Sequence, residues 1–206
     1  MVNHSVFNQQ EICWNCRRSL TAEAAQCSQC KIFIDPQACS YFELLDVPET
    51  FDVDSQVLEK HYLEIQQRVH PDQFANRSAS DKERSLDYIT HVNDAYFILS
   101  SPIKRAIHLL NRFGVWMDND ELAISKNPAL LMEVMELREA VAEAKDFAGL
   151  NQLIIDLKQK EKKLEQALHD AFSSKNWAEA AKETLTLQYI SKIVKDARQQ
   201  LIKHMS

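Results

Sequence analysis

The chain has 206 residues, a formal net charge of −6 and an apolar content of 45%. That length allows one or two domains with hydrophobic cores, and the acidic balance argues against a nucleic-acid partner, which usually meets a basic patch. No apolar run is long enough to cross a membrane. Only two glycines and five prolines interrupt the chain, and because these residues are the main helix disruptors, the composition favours an all-α fold.

The N-terminal residues 1–38 contain two Cys-x-x-Cys pairs, separated by ten residues: Cys13, Cys16, Cys27 and Cys30. Two pairs at this spacing can close a tetrahedral thiolate site. A segment this short cannot bury a core of its own, so we predict a structural zinc ion in a tetracysteine module. Two disulfides or a redox-active pair are the alternatives. Arg17 and Lys31 follow the two pairs at positions where glycine often helps the turn, which disfavours ideal geometry.

The next part of the chain predicts two amphipathic helices joined by a polar loop. Apolar residues recur at helical spacing on both sides of the loop, upstream at Leu58, Tyr62, Ile65 and Val69, downstream at Leu86, Ile89, Val92, Tyr96 and Leu99. Asp54 is the expected N-cap of the first helix. Pro71 stops that helix after Val69, so we expect an antiparallel hairpin with His70 and Asp72 on its exposed tip.

Residues 41 to 113 resemble a J domain. The likeness rests on 41–47 as its short first helix, 58–69 as its second, His70-Pro71-Asp72 as its loop tripeptide, 93–102 as the end of its third and 104–106 as the start of its fourth. J domains stimulate ATP hydrolysis by DnaK-type chaperones. The resemblance therefore implies that the tripeptide, with Lys60 and Arg68 on the second helix, contacts such an ATPase.

After a connector at 114–127, the sequence predicts an antiparallel three-helix bundle over 128–206. Asn127-Pro128 is a start signal, an N-cap followed by proline at the first helical position. Three helical segments follow, at 128–145, 147–173 and 176–204.

The first bundle helix has more apolar residues than a core stripe needs. A stripe of Leu130, Val134, Leu137, Val141 and Ala144 can face the core. Leu131, Met132 and Met135 point elsewhere, on the side that also carries Glu136, Glu139 and Glu143. An apolar patch rimmed by carboxylates predicts a protein-binding surface, with cover by the J domain or the connector as the alternative.

The segment from Leu130 to Glu139 resembles the matching segment of HscB-type co-chaperones of iron–sulfur cluster assembly, and the resemblance extends over residues 41 to 206. In that family a J domain precedes a three-helix domain that binds the cluster scaffold, IscU or its mitochondrial counterpart. The resemblance implies scaffold contacts at Leu131, Met132, Met135, Glu136, Glu139, Glu143 and Tyr189. Many eukaryotic members also carry N-terminal cysteine knuckles, which favours a mitochondrial type.

We therefore predict a non-enzymatic co-chaperone that binds a DnaK/HscA-type ATPase and an IscU-type scaffold, with zinc as its only cofactor. The alternative is a general J-domain co-chaperone for unfolded clients, disfavoured because no Gly/Phe-rich stretch follows residue 113. A zinc-dependent redox or nucleic-acid module is a third hypothesis. We expect an intracellular location, in a mitochondrial matrix with no targeting segment visible or in a bacterial-type cytoplasm, and a homodimer is left open.

Overall fold

The computed structural model describes residues 12–20, 25–117, 124–144 and 146–205. In these ranges the regular structure is helical apart from two isolated β-bridges, which confirms the all-α class. The chain divides into two compact units, one of residues up to 49 with 53–100, the other of 50–52 with 101–206. Residues 1–11 and 21–24 of the predicted metal module, and 118–123 of the predicted connector, lie outside the described residues.

The first unit contains the predicted helical hairpin. Asp54 caps the first arm, because its carboxylate accepts hydrogen bonds from two backbone N–H groups of the first turn. That arm ends at Val69, before Pro71, as predicted. The helices of this unit are α1 (Tyr41–Leu44), α2 (Ser55–Val69) and α3 (Ala79–Leu99).

The core of the first unit lies between α2 and α3 and is closed by α1. Its largest side chains with almost no exposed surface are Phe42, Leu45, Leu58, Phe74 and Leu99. Leu86, which the helical spacing assigned to the buried face, is instead 56% exposed. Near the start of α3 the buried positions are Asp81, Ser85 and Tyr88. Because two of these residues are polar, a search for apolar spacing selected Leu86 in their place.

The second unit contains the predicted bundle together with the helix that precedes it. Its helices are α4 (Pro102–Arg112), α5 (Pro128–Glu143), α6 (Phe147–Ser173) and α7 (Trp177–Met205). Asn127 caps α5 by accepting the Leu130 N–H at 3.1 Å, with Pro128 at the first position, as predicted.

Side-chain pairs fix the antiparallel order of the bundle. Lys160 of α6 forms an ion pair with Glu133 of α5. Ser191 of α7 donates to the buried carboxylate of Glu161 at 2.7 Å. In each pair, one residue precedes the connecting turn by about as many residues as the other follows it. This pairing requires consecutive helices to be antiparallel, so α5, α6 and α7 run alternately up and down.

Helix α7 packs against α4, α5 and α6. Helical spacing predicts one apolar stripe on α7, made of Leu187, Ile190, Val194, Ala197 and Leu201. Because α7 has three neighbours, Leu185, Ile193 and Thr184 are buried in addition. None of the described helices is long and apolar enough to span a lipid bilayer.

Candidate functional site

The four predicted metal ligands lie together. The Sγ atoms of Cys13 and Cys30 are 3.6 Å apart, those of Cys16 and Cys27 are 3.7 Å apart, and all four lie within 4.8 Å of one another. A tetrahedral Zn²⁺ with Zn–S bonds of about 2.3 Å requires sulfur–sulfur distances of about 3.8 Å. The cluster therefore fits a tetrahedral metal ion. All five cysteines of the chain are free, so the alternative of two disulfides does not hold in this structure.

Both Cys-x-x-Cys pairs form the same turn. The Arg17 N–H donates to the Cys13 carbonyl at 2.8 Å, and the Lys31 N–H donates to the Cys27 carbonyl at 2.9 Å. Arg17 and Lys31 have φ angles of 65° and 59°, in the left-handed region. Such a conformation costs a residue other than glycine about 1–2 kcal/mol. The absence of glycine thus strains these turns without preventing them, and metal binding can offset that cost.

The four thiols have unequal acidities. Burial raises the pKa of Cys13 to about 12 and also raises that of Cys30. Burial acts in the same direction on Cys27, but backbone N–H donors from Cys30 and Gln29 outweigh it and bring the pKa to about 6. A bound cation stabilises all four thiolates together, so binding releases protons. Four protein ligands would fill a tetrahedral coordination sphere and leave no open position for catalysis, as in structural metal sites.

We expect protein purified without added zinc to contain close to one Zn²⁺ per chain, because the four thiolates complete the coordination sphere. Elemental analysis by plasma mass spectrometry measures this directly. The matched control is Cys39→Ser, which removes the cysteine outside the cluster and should leave the metal content unchanged. Cys27→Ser should release the metal. Metal-free protein with disulfides mapped between these cysteines would contradict the prediction.

The hairpin tip presents the His-Pro-Asp tripeptide to solvent. The side chains of His70 and Asp72 are 54% and 89% exposed. Nδ1 of His70 accepts the backbone N–H of Asp72 at 3.3 Å and lies 3.4 Å from its carboxylate. In the neutral ring this leaves the proton on Nε2. Pro71 opens a short 3-10 turn, Pro71–Phe74, that follows α2 directly. The tip therefore offers an exposed carboxylate, suited to a charge-assisted hydrogen bond with a cationic partner.

The two basic residues of α2 that are predicted to contact the ATPase differ in their surroundings. Lys60 is 71% exposed and its Nζ lies 4.0 Å from the Glu64 carboxylate, an interaction of little energy at the surface. The Arg68 guanidinium donates from Nε to the Glu64 carbonyl at 3.1 Å and from Nη1 to the Cys30 carbonyl at 3.2 Å. Arg68 thus also connects α2 to the cysteine module. A role for either residue in ATPase binding stays a prediction.

The surplus apolar residues of α5 are exposed in the structure. Met132 and Met135 are 64% and 61% exposed, and Leu131 is 38% exposed, whereas Leu130, Val134 and Val141 are buried in the bundle. We call these three exposed residues, with the exposed carboxylates Glu136, Glu139 and Glu143, the α5 patch. Most of the surface of Met132 and Met135 and about a third of that of Leu131 remain uncovered, so the patch is open to a protein partner.

Tyr189, which the resemblance assigns to scaffold binding together with these residues, is buried rather than exposed. Its side chain is 6% exposed, and the Lys192 Nζ lies 5.1 Å from the ring centroid. Tyr189 is about 120° from the centre of the apolar stripe of α7, and on a helix with one neighbour it would lie at the edge of the buried surface. Helix α7 has three helical neighbours, so that edge is buried as well. A scaffold contact by Tyr189 stays a prediction, but the ring is part of the packed bundle.

Comparison with known proteins relates these features to a family. Residues 126–198 match the family model described as the HSCB C-terminal oligomerisation domain. The chain is 33% identical over 186 residues to the iron–sulfur cluster co-chaperone protein HscB of Homo sapiens, covering 88% of this chain and 78% of that protein. The chain belongs to the HscB family. The HscB homologue of Vibrio parahaemolyticus is 33% identical over 162 residues, which cover 75% of this chain and 92% of the homologue.

The fold agrees with the HscB assignment. The crystal structure of human HscB superimposes with a TM-score of 0.80 at 30% sequence identity, over 92% of this chain and 98% of the human one. The residues matched by the HscB family model contain the whole α5 patch, whereas the tip and the cysteine cluster precede them.

Proposed function

We propose that this HscB-family chain is a non-enzymatic co-chaperone in iron–sulfur cluster biogenesis. It binds an IscU-type scaffold protein and a DnaK/HscA-type ATPase, and it stimulates ATP hydrolysis so that the cluster is transferred. The observation that carries the proposal is an exposed His70–Asp72 tip on one compact unit together with an exposed apolar patch on the other. The name of the human relative, an iron–sulfur cluster co-chaperone, supports the same role.

Each unit contributes one binding step. The tip meets the ATPase through the Asp72 carboxylate and the His70 imidazole, groups that can pair with a cationic side chain such as arginine. The α5 patch meets the scaffold through its apolar centre, and its carboxylates favour a partner with basic residues around the contact. Because one chain carries both contacts, scaffold and ATPase are held at a high effective concentration relative to each other.

The acidic rim distinguishes this proposal from a general J-domain co-chaperone. A surface for many unfolded clients needs adaptable apolar area, whereas carboxylates beside the apolar centre select partners of complementary charge. On α5, Glu136, Glu139 and Glu143 are all exposed. A single dedicated partner therefore explains the α5 patch better than a range of unfolded chains.

We also propose that the bound metal is zinc, and that the protein acts in a mitochondrial matrix or in a bacterial-type cytoplasm. The four-cysteine cluster supports zinc because thiolates are the ligands of structural zinc sites. Relatives from human and from Vibrio support the two locations. The family model is described as an oligomerisation domain, which supports a homodimer. Sedimentation analysis would measure the oligomeric state.

Reconstitution with a DnaK-type ATPase and an IscU-type scaffold from the same organism tests the function. We expect single-turnover ATP hydrolysis to accelerate when this chain is added, and to accelerate further with the scaffold. An unfolded model client, added in place of the scaffold, is the comparison. Equal acceleration by client and scaffold would favour the general co-chaperone, and no acceleration in any mixture would exclude both.

A further inference from the structure

The two cysteine turns share a backbone fold but differ in one side chain. Trp14 follows the first cysteine of one turn, and Ser28 takes the same position in the other. Trp14 is 4% exposed, whereas Ser28 is exposed. A large aromatic residue is not needed to form the turn, since the second pair forms it without one. The burial of Trp14 therefore comes from contacts outside the metal site.

Trp14 is buried against the loop that carries the tip. Its ring centroid lies 5.6 Å from that of Phe74 and 5.7 Å from that of Tyr88 on α3, both in tilted arrangements. Such aromatic pairs attract beyond the area they bury. Phe74 has no exposed surface and ends the 3-10 turn that contains Asp72, two residues earlier. Trp14 thus packs against Phe74, the buried residue that ends the turn carrying the tip.

Polar contacts fix the same arrangement. The Arg77 guanidinium donates from Nη1 to the carbonyls of Trp14 and Asn15, at 3.3 and 2.7 Å, and lies 4.5 Å from the Phe74 ring centroid. Arg17 forms an ion pair with the buried carboxylate of Asp81 on α3. The Ser78 hydroxyl, and after it Arg17, keeps the pKa of Asp81 below its ordinary value. The module is therefore tied to the segment between α2 and α3 and to the first turn of α3.

The tip has few internal restraints of its own. Its turn depends on backbone hydrogen bonds from the Gln73 N–H to the His70 carbonyl at 2.9 Å and from the Ala75 N–H to the Asp72 carbonyl at 3.2 Å, and on the bond from the Asp72 N–H to Nδ1 of His70 at 3.3 Å. Loops held by so few local bonds lie at the low end of local stability. The contact between Phe74 and Trp14 therefore adds a restraint on the tip from outside its own turn.

We propose that Trp14 is a positioning residue, through which the metal-closed module holds Phe74 and so keeps the His70–Asp72 tip in the conformation that the ATPase contacts. This inference rests on the proposed function. It makes metal binding and ATPase binding thermodynamically coupled, because the module needs the metal to fold. The coupling is reciprocal, so ATPase binding at the tip also tightens metal binding.

Trp14→Ala is the direct test, since it leaves all four cysteines in place. We expect near-normal zinc content, faster amide hydrogen exchange at Gln73, Ala75 and Arg77, and a stimulation of ATP hydrolysis about five- to tenfold weaker at subsaturating protein. Trp14→Phe, which retains an aromatic ring, should bring amide exchange at the tip and the stimulation of ATP hydrolysis most of the way back to those of the unaltered chain. Ser28→Ala, at the equivalent position of the second turn, is the matched control and should change neither. Amides of α6 serve as the internal exchange reference.

The outcomes separate this inference from the function on which it rests. Unchanged exchange at the tip in Trp14→Ala would overturn the positioning role, whatever the ATPase assay gives. Faster exchange in a reconstitution where the unaltered chain also fails to stimulate would reject the proposed function and keep the positioning role. If Trp14→Ala loses its zinc, Arg77→Lys decides, because it keeps the charge and the cysteines but cannot bond both carbonyls in the same way. Normal exchange and stimulation in that variant would overturn the inference.

Discussion

Replacing His70 by glutamine should reduce the stimulation of ATP hydrolysis at least about tenfold, since a hydrogen bond to a charged group contributes roughly 1.5–3 kcal/mol. Glutamine retains an acceptor that can take the Asp72 N–H, which in the structure bonds Nδ1 of His70 at 3.3 Å. The turn should therefore survive while the imidazole is lost. Because the side chain is 54% exposed, we expect the free energy of unfolding to change by no more than about 0.5 kcal/mol.

Single-turnover ATPase kinetics, with thermal unfolding measured alongside, test this result. Asp72→Asn should give a similar loss, because it removes the charge of the exposed carboxylate. Glu83→Gln is the control: it removes one exposed carboxylate from α3, at a position with no proposed contact. Full stimulation by His70→Gln would reject the role of the tip. A large drop in melting temperature would instead assign His70 to folding.

The helices were predictable because local rules decide them. Asp54 and Asn127 are good N-caps whatever surrounds them, since their side chains bond N–H groups two or three residues ahead. Pro71 ends α2 because proline restricts the residue before it. The cysteine cluster was predictable for the same reason: the spacing within each pair fixes a turn, and both turns form without glycine.

The burial of Tyr189 was not predictable from its own helix. A periodicity argument assumes one buried stripe on a helix. In the structure α4 also packs on α7, and the sequence of α7 contains no pattern that predicts this second contact. Helix α4 belongs to the residues that resemble the J domain, yet it lies in the same compact unit as the bundle. When a distant segment of the chain buries a residue, the apolar pattern of that residue's own helix cannot predict the burial.

The docking of the cysteine module was also missed, although one signal was present. Trp14 lies between two metal ligands in a segment too short to bury it. A tryptophan in that position must either remain exposed or pack on another part of the chain, and large aromatic residues are on average highly buried. Arg77 and Asp81 gave no such signal, because charged residues near a loop are usually solvated.

The α5 patch supplies the other large effect. Truncating Leu131, Met132 and Met135 together to alanine should weaken scaffold binding at least about 100-fold, because a few buried apolar anchors carry most of the energy of an interface. Tyr189 is kept intact, since truncating a buried aromatic ring costs about 3–5 kcal/mol of folding stability. The three side chains are 38% to 64% exposed, so the helicity and the free energy of unfolding of the triple variant should remain close to those of the unaltered chain.

Titration calorimetry against the scaffold, with circular dichroism for folding, measures both quantities. Ile202→Ala is the matched control: Ile202 is an apolar residue of the same unit, 62% exposed. It lies beyond Gln200, whose side chain donates to the Ala144 carbonyl at the end of α5. That position is about 18 Å along the bundle from Met132, so its truncation should leave affinity unchanged.

Neutralising the rim with glutamine at Glu136, Glu139 and Glu143 should have a smaller effect, seen mainly as slower association and a weaker dependence on salt. Exposed rim charges steer encounter more than they hold the complex. Unchanged affinity in the apolar triple variant would remove the α5 patch from scaffold binding. Loss of helicity would show that the patch stabilises the bundle, and equal losses in the triple variant and Ile202→Ala would indicate that binding has no defined centre on α5.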